Sequence, residues 1–363
     1  MSDVSFHHSS DSSDVTSVKE PWLAVVFSSV FPGFGQIYAG ATLIGCVIVA
    51  IAVFVLGAIA WIMLSDSGSV RIAVQLCLGY LIFSLWNLFN AHRQARKVND
   101  YEFEQRRKET KDPWLAAFLS KLIPGLGHAY QEMWLFAILF FILVVGAQTL
   151  AEVVPLLAIF SLLLSLFCFF HAYISSPTER ETSRELIVQV CWLLLAANVL
   201  SLLLAISIRT FVAEARFIPS EAMSPTLQIN DRLFVNKLDY RFESPDRGEV
   251  IIFQAPQAAL TAASSTADTA YIKRVIGLPG ETIEVKEGSV YVDGERLAES
   301  YVRSPIAYTW GPETVPADAY FVLGDNRNSS LDSHVWGFLP AENIIGKATK
   351  IFWPPQRQGN IER

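Results

Sequence analysis

Long apolar stretches fill about the first 210 residues, and short alternating stretches follow them. A helix of roughly 20 apolar residues crosses a hydrocarbon core of about 30 Å. We predict five such helices, at residues 41–64, 70–90, 134–150, 155–174 and 186–208. A buried soluble helical core is the alternative, but several such lengths in succession favour a multi-span α-helical membrane region.

Basic residues indicate the orientation of these helices, because Lys and Arg in short loops stay on the cytoplasmic side. The connections after the second and fourth stretches are basic, whereas the other two hold only Arg71 between them. Both basic connections lie on one side if the N-terminus is cytoplasmic. Five crossings then place the chain after about Arg209 outside the cytoplasm.

The membrane half contains an internal duplication. Lys19 begins KEPWLAVVFSSVFPGFGQIYAG, and Lys111 begins the related KDPWLAAFLSKLIPGLGHAYQE. Each copy precedes two predicted spans, and its short apolar part, ended by Pro-Gly, has an interfacial or re-entrant length. Gln36 and His128, one in each copy, are isolated polar residues, and we interpret them as packing or interfacial residues rather than as parts of a polar pathway. The predicted parts are a disordered cytoplasmic tail (1–18), a first membrane repeat (19–92), a basic cytoplasmic loop (93–110), a second membrane repeat (111–175) and the fifth span (186–208).

Residues 209–363 have a different pattern. Short alternating runs are bounded by turn pairs such as Glu287-Gly288 and Asp293-Gly294, which favour β-hairpins. We therefore predict a mostly antiparallel β exported domain. The stretch 257–270, rich in Ala, Ser and Thr, indicates an exposed loop between strands.

Composition excludes several function classes. A hydrophobic share of 52% is too high for an ordinary soluble protein, and a net charge of −7 gives no reason to expect nucleic acid as a partner. All four cysteines lie inside predicted spans, so the exported part is expected to have no disulfide. The six histidines are scattered, and we expect no metal and no organic cofactor.

Three motifs follow one another in the exported part: FIPSEAMSPTL from Phe217, YIKRVIGLPGE from Tyr271 and GDNRNSSLDSHVWGFLP from Gly324. In this order they resemble the bacterial type I signal peptidases, membrane serine endopeptidases with a Ser/Lys dyad. The resemblance covers essentially all of the exported part. It implies the signal peptidase fold, the bacterial inner (plasma) membrane as location, and signal peptides of exported preproteins and the lipid bilayer as partners.

The resemblance implies a role for each matching residue. Lys273 matches the general base, and burial in an apolar pocket has to lower its pKa from about 10.4 for that task. Ser220 matches the residue that helps form the oxyanion hole, and Ser330 matches the serine that orients the lysine. The implied supporting residues are Arg274, Asp325 and Asp332. The residues expected to line the substrate pocket are Ile218, Met223 and Pro225.

The two supporting carboxylates, Asp325 and Asp332, differ in their expected partners. Asp325 is expected to pair with Arg274. The family's Asp-Ser-Arg is here Asp332-Ser333-His334. Because a histidine is mostly neutral above a pH of about 6.5, the ion pair of Asp332 is expected to be weaker.

The nucleophile position holds Ala222, whose methyl group has no lone pair with which to attack a carbonyl. Three accounts fit: a deliberate Ser to Ala substitution in an active peptidase, a natural non-cleaving relative that acts as a membrane binding or scaffold protein, or weak cleavage through Ser224 or Ser220. In an extended segment the hydroxyl of Ser224 would lie about 6–7 Å from the required place. We therefore expect this chain to be inactive or severely impaired.

Overall fold

The computed structural model describes residues 18–65, 67–177, 184–263 and 270–361. The chain divides into two compact units, Met1–Gly57 with Cys77–Ser201 and Ala58–Leu76 with Leu202–Arg363. The tail predicted at 1–18 lies outside the described residues except for Val18.

Helices occupy the N-terminal half of the chain. Their bounds are α1 Pro21–Val30, α2 Phe34–Tyr38, α3 Thr42–Leu64, α4 Val70–Val98, α5 Tyr101–Glu109, α6 Pro113–Leu122, α7 Leu126–Tyr130, α8 Trp134–Leu150, α9 Leu156–Ile174 and α10 Arg184–Ser207, which continues as a π-helix over Ile208–Val212. Among the described residues, four helices are long and apolar enough to cross a membrane: α3, α4, α9 and α10 with its continuation. The third predicted span forms α8, a shorter apolar helix of 17 residues.

The connection predicted at 93–110 is helical rather than irregular. Helix α4 extends to Val98, and α5 follows after two residues. Asp100 caps α5 by accepting a hydrogen bond from the backbone N–H of Phe103 at 2.6 Å. Acidic side chains in the first turn of α5 and basic ones in its last turn suit the helix dipole. A cluster of basic residues indicates the side of a membrane but does not distinguish a loop from a polar helix.

The two copies of the duplicated sequence fold alike. In each, a ten-residue helix that begins with proline is followed by a Pro-Gly turn and a five-residue helix, α1 with α2 and α6 with α7. Gly33 and Gly125 in the turns have φ of 101° and 86°, in the left-handed region that favours glycine. The Tyr38 hydroxyl accepts a hydrogen bond from the Glu20 N–H, and Tyr130 does the same for Asp112.

A second contact, present in both copies, holds the two helices of each copy together. The Ser28 hydroxyl accepts a hydrogen bond from the Gly35 N–H at 3.1 Å, and the Ser120 hydroxyl accepts one from Gly127 at 3.1 Å. A Cβ atom on Gly127 would lie 1.8 Å from the Ala116 carbonyl oxygen, which is far inside contact distance. The repeated residues therefore have a structural reason, the close packing of a short helical hairpin.

Antiparallel strands form two sheets in the second unit. Their bounds are β1 Ala213–Phe217, β2 Arg232–Asn236, β3 Val250–Gln254, β4 Ala270–Gly277, β5 Thr282–Lys286, β6 Ser289–Val292, β7 Glu295–Arg296, β8 Trp310–Thr314, β9 Ala319–Leu323, β10 Leu339–Pro340, β11 Ile344–Trp353 and β12 Gly359–Asn360. The larger sheet has the order β1-β2-β11-β3-β4-β9-β10, with β12 beside β11, and the smaller has the order β7-β6-β5-β8. The predicted antiparallel β domain is confirmed.

Both predicted hairpin turns are present. Glu287-Gly288 joins β5 to β6, and Asp293-Gly294 joins β6 to β7. All four residues have positive φ, as type I′ turns require.

The loop predicted at 257–270 is a helix over its first part. Helix α11 spans Gln257–Ala263, and Ala259 and Leu260 are buried in a core cluster with Phe253. Alanine is the best helix former, so the composition that indicated a loop also suits a short packed helix. Residues 264–269 lie outside the described residues, and a further short helix, α12, spans Ser333–Trp336.

The end of α3 belongs to the second unit and contacts its larger sheet. The last carbonyls of a helix have no partner inside the helix. Lys350 on β11 donates hydrogen bonds from Nζ to the carbonyls of Met63, at 3.4 Å, and Ser65. Asn236 on β2 donates one to the carbonyl of Leu64 at 3.4 Å. The α3–α4 connection is therefore held by the β domain.

The glycine contact can be tested by Gly127→Ala. We expect this variant to be destabilised by at least about 1–3 kcal/mol, because the new methyl group meets the Ala116 carbonyl and α6 and α7 have to separate. Thermal unfolding of the purified full chain in detergent measures the effect. Gly146→Ala in α8 is the control, since nothing lies within 4 Å of its Cβ position. Equal stability of the two variants would contradict the packing argument.

Candidate active site

The segment that carries Ala222 leaves β1 and turns rather than continuing as a strand. The Ser224 N–H donates to the Glu221 carbonyl, and the Leu227 N–H donates to the Met223 carbonyl, both at 2.9 Å. The prediction of an extended segment around Ala222 and Ser224 was wrong, because the chain turns there. The motif gives residue identities, but it does not give their backbone angles.

Backbone contacts bring the first and third motifs together at Ala222. The Ala222 carbonyl accepts a hydrogen bond from the Asn326 N–H at 3.1 Å, and the Asn326 side chain donates to the Glu221 carbonyl at 3.3 Å. A Cβ atom on Gly324 would lie 2.4 Å from the Ala222 oxygen and 2.2 Å from Ser330 Oγ. Only glycine leaves room for this approach. Position 222 is thus fixed by its backbone, whatever its side chain.

Lys273 lies in β4, beside Ile251 of β3 in the sheet register. Its side chain is buried, with 5% of the residue exposed. Burial lowers the pKa of the Lys273 amine below its ordinary value, and the carboxylates of Asp332 and Asp325 offset part of this lowering. A buried lysine with a lowered pKa can hold its amine neutral and act as a base.

The Ser330 hydroxyl is buried and has no hydrogen-bond partner among the described residues, so it forms no hydrogen bond with Lys273. A buried hydroxyl without a partner costs about 1–3 kcal/mol. Such a cost is expected where a group that enters the site completes the hydrogen bonding. The role of Ser330 in orienting the lysine stays a prediction.

Arg274 and Asp325 form the ion pair that the sequence predicts. Both side chains are 0% exposed, and the guanidinium donates to the two carboxylate oxygens at 2.8 and 2.7 Å. The Thr226 hydroxyl also donates to Asp325, at 2.5 Å, and the Arg274 guanidinium lies 3.9 Å from the ring centroid of Tyr301. The pair links β4, the first motif and the third motif. Sequence reasoning missed Thr226, although it lies within the first motif.

Asp332 is fully buried and is held by more than its histidine. It accepts hydrogen bonds from the N–H groups of Gly324, at 2.9 Å, and His334, at 3.3 Å. Its Oδ1 lies 2.6 Å from His334 Nδ1, and the imidazole is stacked on the Tyr308 ring with centroids 4.0 Å apart. The two backbone donors position the carboxylate even when the histidine is neutral.

The predicted substrate contacts differ in accessibility. Ile218 and Met223 are 2% and 1% exposed and belong to a core cluster of the larger sheet, which leaves them almost no surface for a substrate. Pro225 is half-buried and lines a cavity of about 280 Å³ together with Tyr301. Ser220 is exposed. Apolar residues beside a nucleophile position suit a pocket wall and a core equally, and the sequence alone does not separate the two.

Lys273 is thus buried in β4, and its neighbour Arg274 is paired with Asp325 of the third motif. The family model described as signal peptidase, peptidase S26, matches residues 191–353. The signal peptidase I of Leptolyngbya laminosa is 56% identical over 162 residues, 45% of this chain and 79% of that protein. The probable signal peptidase I-2 of Synechocystis sp. is 52% identical over 183 residues, 50% of this chain and 83% of that protein. The chain belongs to the signal peptidase I family.

A solved structure also matches part of the chain. The signal peptidase I of Enterococcus faecalis V583 is 31% identical and corresponds to 30% of this chain and 98% of that chain, with a TM-score of 0.24.

Replacing Asp325 by Asn tests the buried ion pair. We expect a loss of about 3–5 kcal/mol, because the Arg274 charge is left buried without its counterpart. Denaturant or thermal unfolding of the purified chain measures the loss. Glu284→Gln is the matched control, since its partner Lys286 is largely exposed, and no measurable change is expected there. A similar small effect in both variants would show that the pair does not hold the site.

Replacing Lys273 by Met tests the buried amine without using activity. The folded-state pKa of Lys273 is lowered, so the unfolded chain binds more protons below a pH of about 10.4, and burial of the amine reduces stability there. Lys273→Met is therefore expected to unfold at a higher temperature than the parent at pH 7. The difference should shrink as the pH approaches about 10.4.

Lys286→Met, in which an exposed amine is lost, should show no such gain. A Lys273→Met variant that is less stable than the parent at pH 7 would mean that the amine is charged and well paired in the folded protein.

Proposed function

We propose that this chain is a signal peptidase I-type membrane protein that binds the cleavage region of exported preproteins but, with Ala222 at the nucleophile position, does not cleave it. The observation that carries the proposal is the pairing of a buried Lys273 of lowered pKa with a tightly fixed backbone at Ala222. The surroundings of a serine/lysine dyad are retained, and one oxygen is missing.

The proposed reaction of a protein with a serine hydroxyl at position 222 follows from these residues. The neutral Lys273 amine takes the hydroxyl proton while the oxygen attacks the scissile carbonyl carbon. Ser220 contributes a hydrogen bond to the developing oxyanion. The ammonium then gives its proton to the leaving amine, and water, deprotonated by the same lysine, hydrolyses the acyl-enzyme. The unpartnered hydroxyl of Ser330 is available to hold the amine in place.

The substrate proposed for this site is the small-x-small sequence, such as Ala-x-Ala, at the end of a signal peptide. Shallow pockets accept small side chains because extra methylene groups do not fit. Half-buried Pro225 is the candidate for this contact, because Ile218 and Met223 are buried. Rescue by Ser224 or Ser220 is disfavoured, because the backbone between them is held at Ala222.

The proposed membrane arrangement has a cytoplasmic N-terminus, membrane repeats at 19–92 and 111–175, a final span at 186–208 and an exported domain from 209. The hydrogen bonds from Lys350 and Asn236 to the end of α3 support it. They favour an α3–α4 connection on the same side as the β domain, as an outward α3 and an outward α10 require. The location proposed is a bacterial inner membrane.

A natural binding or scaffold protein is the second candidate function. The observation that favours it is the helical half with its two copies of one folded hairpin, which a cleavage site does not need. If that half carries the function, deletion of the residues before Leu186 abolishes it. If the exported site carries it, the exported domain with its last span suffices.

A preprotein cleavage assay tests the proposed function. The purified full chain, Ala222→Ser, Ala222→Ser with Lys273→Ala, and Ala222→Ser with Lys286→Ala are incubated with a preprotein that has an Ala-x-Ala site. We expect Ala222→Ser to raise cleavage by at least about 10³-fold over the parent, and Lys273→Ala to abolish the gain. The Lys286 control should cleave like Ala222→Ser, because Lys286 lies in β5 and is largely exposed.

Each outcome of this assay decides something. Cleavage by the unchanged chain would overturn the inert account and point to Ser224 or Ser220. No cleavage by any variant would favour the binding or scaffold protein. The gene sequence at codon 222 separates a natural alanine from an introduced one.

A further inference from the structure

A polar cavity lies inside the helical unit, and no residue of the candidate active site lines it. Its volume is about 390 Å³, and α6, α8, α9 and α10 contribute to its wall. Leucine and phenylalanine side chains form one part of the wall. The polar residues of the wall are Lys121, Gln148, Ser161, Ser165 and Asn198.

Lys121 brings a positive charge to this cavity without a negative partner. Its Nζ donates to the Ser29 hydroxyl at 2.5 Å and lies 3.4 Å from the Ser29 carbonyl oxygen. Both acceptors are neutral, and Lys121 forms no ion pair with any residue in the described ranges. Ionisable residues among membrane-spanning helices are costly and are commonly part of a functional site.

A comparison of the two copies shows whether the fold of the hairpin requires Lys121. Ser29 holds the same position in the first copy as Lys121 does in the second. The two copies fold alike with a serine in one and a lysine in the other, so the hairpin does not require the lysine. The charge is an addition of the second copy, and it faces the cavity.

The remaining hydrogen-bond donors of the cavity suit an anion. Ser161 and Ser165 donate their hydroxyl protons to carbonyls of their own helix. Asn198 donates one of its two amide protons to the Leu194 carbonyl at 2.7 Å and keeps the other. The Gln148 side chain makes no hydrogen bond to the described part of the chain. Lys121, Gln148 and Asn198 therefore offer N–H donors at one place.

The mouth of the cavity opens among apolar side chains. Gln148 and Asn198 are exposed, and so are their neighbours Leu150 on α8 and Val199 on α10. In the proposed membrane arrangement this surface faces lipid. A molecule that enters from there has an apolar part that stays among hydrocarbon and a polar part that reaches Lys121.

We propose that this cavity binds the anionic head of a membrane amphiphile, a carboxylate or a phosphate group, held by Lys121 Nζ and the side-chain amides of Gln148 and Asn198. The proposal rests on the membrane arrangement and not on cleavage. Its test uses lipid binding alone, so a failed cleavage assay does not affect it.

The experiment measures saturable binding of cis-parinarate, a fluorescent carboxylate amphiphile, to the full chain in a non-ionic detergent. The main variant is Lys121→Ser, which places the residue of the first copy in the second. We expect its affinity to fall by at least about tenfold, as for loss of one charge-assisted hydrogen bond. Lys108→Ser is the matched control, because it removes the same charge from an exposed position on α5.

A second variant guards against misfolding. Asn198→Leu changes an exposed side chain at the mouth, and it should also weaken binding while the unfolding temperature stays that of the parent. If Lys121 serves only to hold α6 to Ser29 by a hydrogen bond, Lys121→Ser has a lower unfolding temperature, and its affinity per folded molecule is unchanged. That result would overturn the proposal.

Competing lipids identify the source of the anion. Displacement of parinarate by oleate alone assigns a carboxylate, and displacement by phosphatidylglycerol as well assigns a site that also takes a phosphate diester. Both results support the anion site. Equal displacement by zwitterionic phosphatidylcholine, or equal affinity of the parent and Lys121→Ser, would contradict it.

Discussion

The buried ion pair between Arg274 and Asp325 holds the candidate active site in place. Its two side chains come from β4 and from the loop of the third motif, and Thr226 of the first motif donates to the same carboxylate. Lys273 precedes Arg274 in β4, so the position of the pair fixes the backbone of the lysine as well. A protein is strongly destabilised when one partner of a fully buried charge pair is lost, because the other charge stays buried without its counterpart. We therefore expect that loss of this pair displaces all three motifs.

This arrangement explains how a site can persist without its nucleophile. The position of Ala222 depends on backbone hydrogen bonds and on the absence of a side chain at Gly324, and neither involves the atom that would attack. Lys273 is likewise buried, with a lowered pKa, while alanine occupies position 222. Loss of the nucleophile oxygen therefore removes the proposed chemistry while the surrounding structure stays intact. The same reasoning makes restoration by one substitution a reasonable expectation.

The sequence predicted the antiparallel β domain, because turn pairs such as Asp293-Gly294 require positive φ and alternating strands flank them. It did not predict the packed helix at Gln257–Ala263, since an Ala-rich composition suits helix and loop alike. The resemblance assigned the residues of the site, but the turn after Ser220 and the burial of Met223 depend on tertiary contacts that a motif does not contain. The cavity around Lys121 was not predicted either, because it depends on how four separate helices pack against one another.

The central claim is that burial lowers the pKa of the Lys273 amine, and the titration of its own side chain tests this most directly. In a chain labelled with ¹³C and ¹⁵N at lysine, the Lys273 signals are assigned by their absence in Lys273→Met and followed by NMR against pH. The account predicts a midpoint clearly below the ordinary lysine value of about 10.4. A midpoint at or above that value would show a charged amine in the folded protein and would contradict the account.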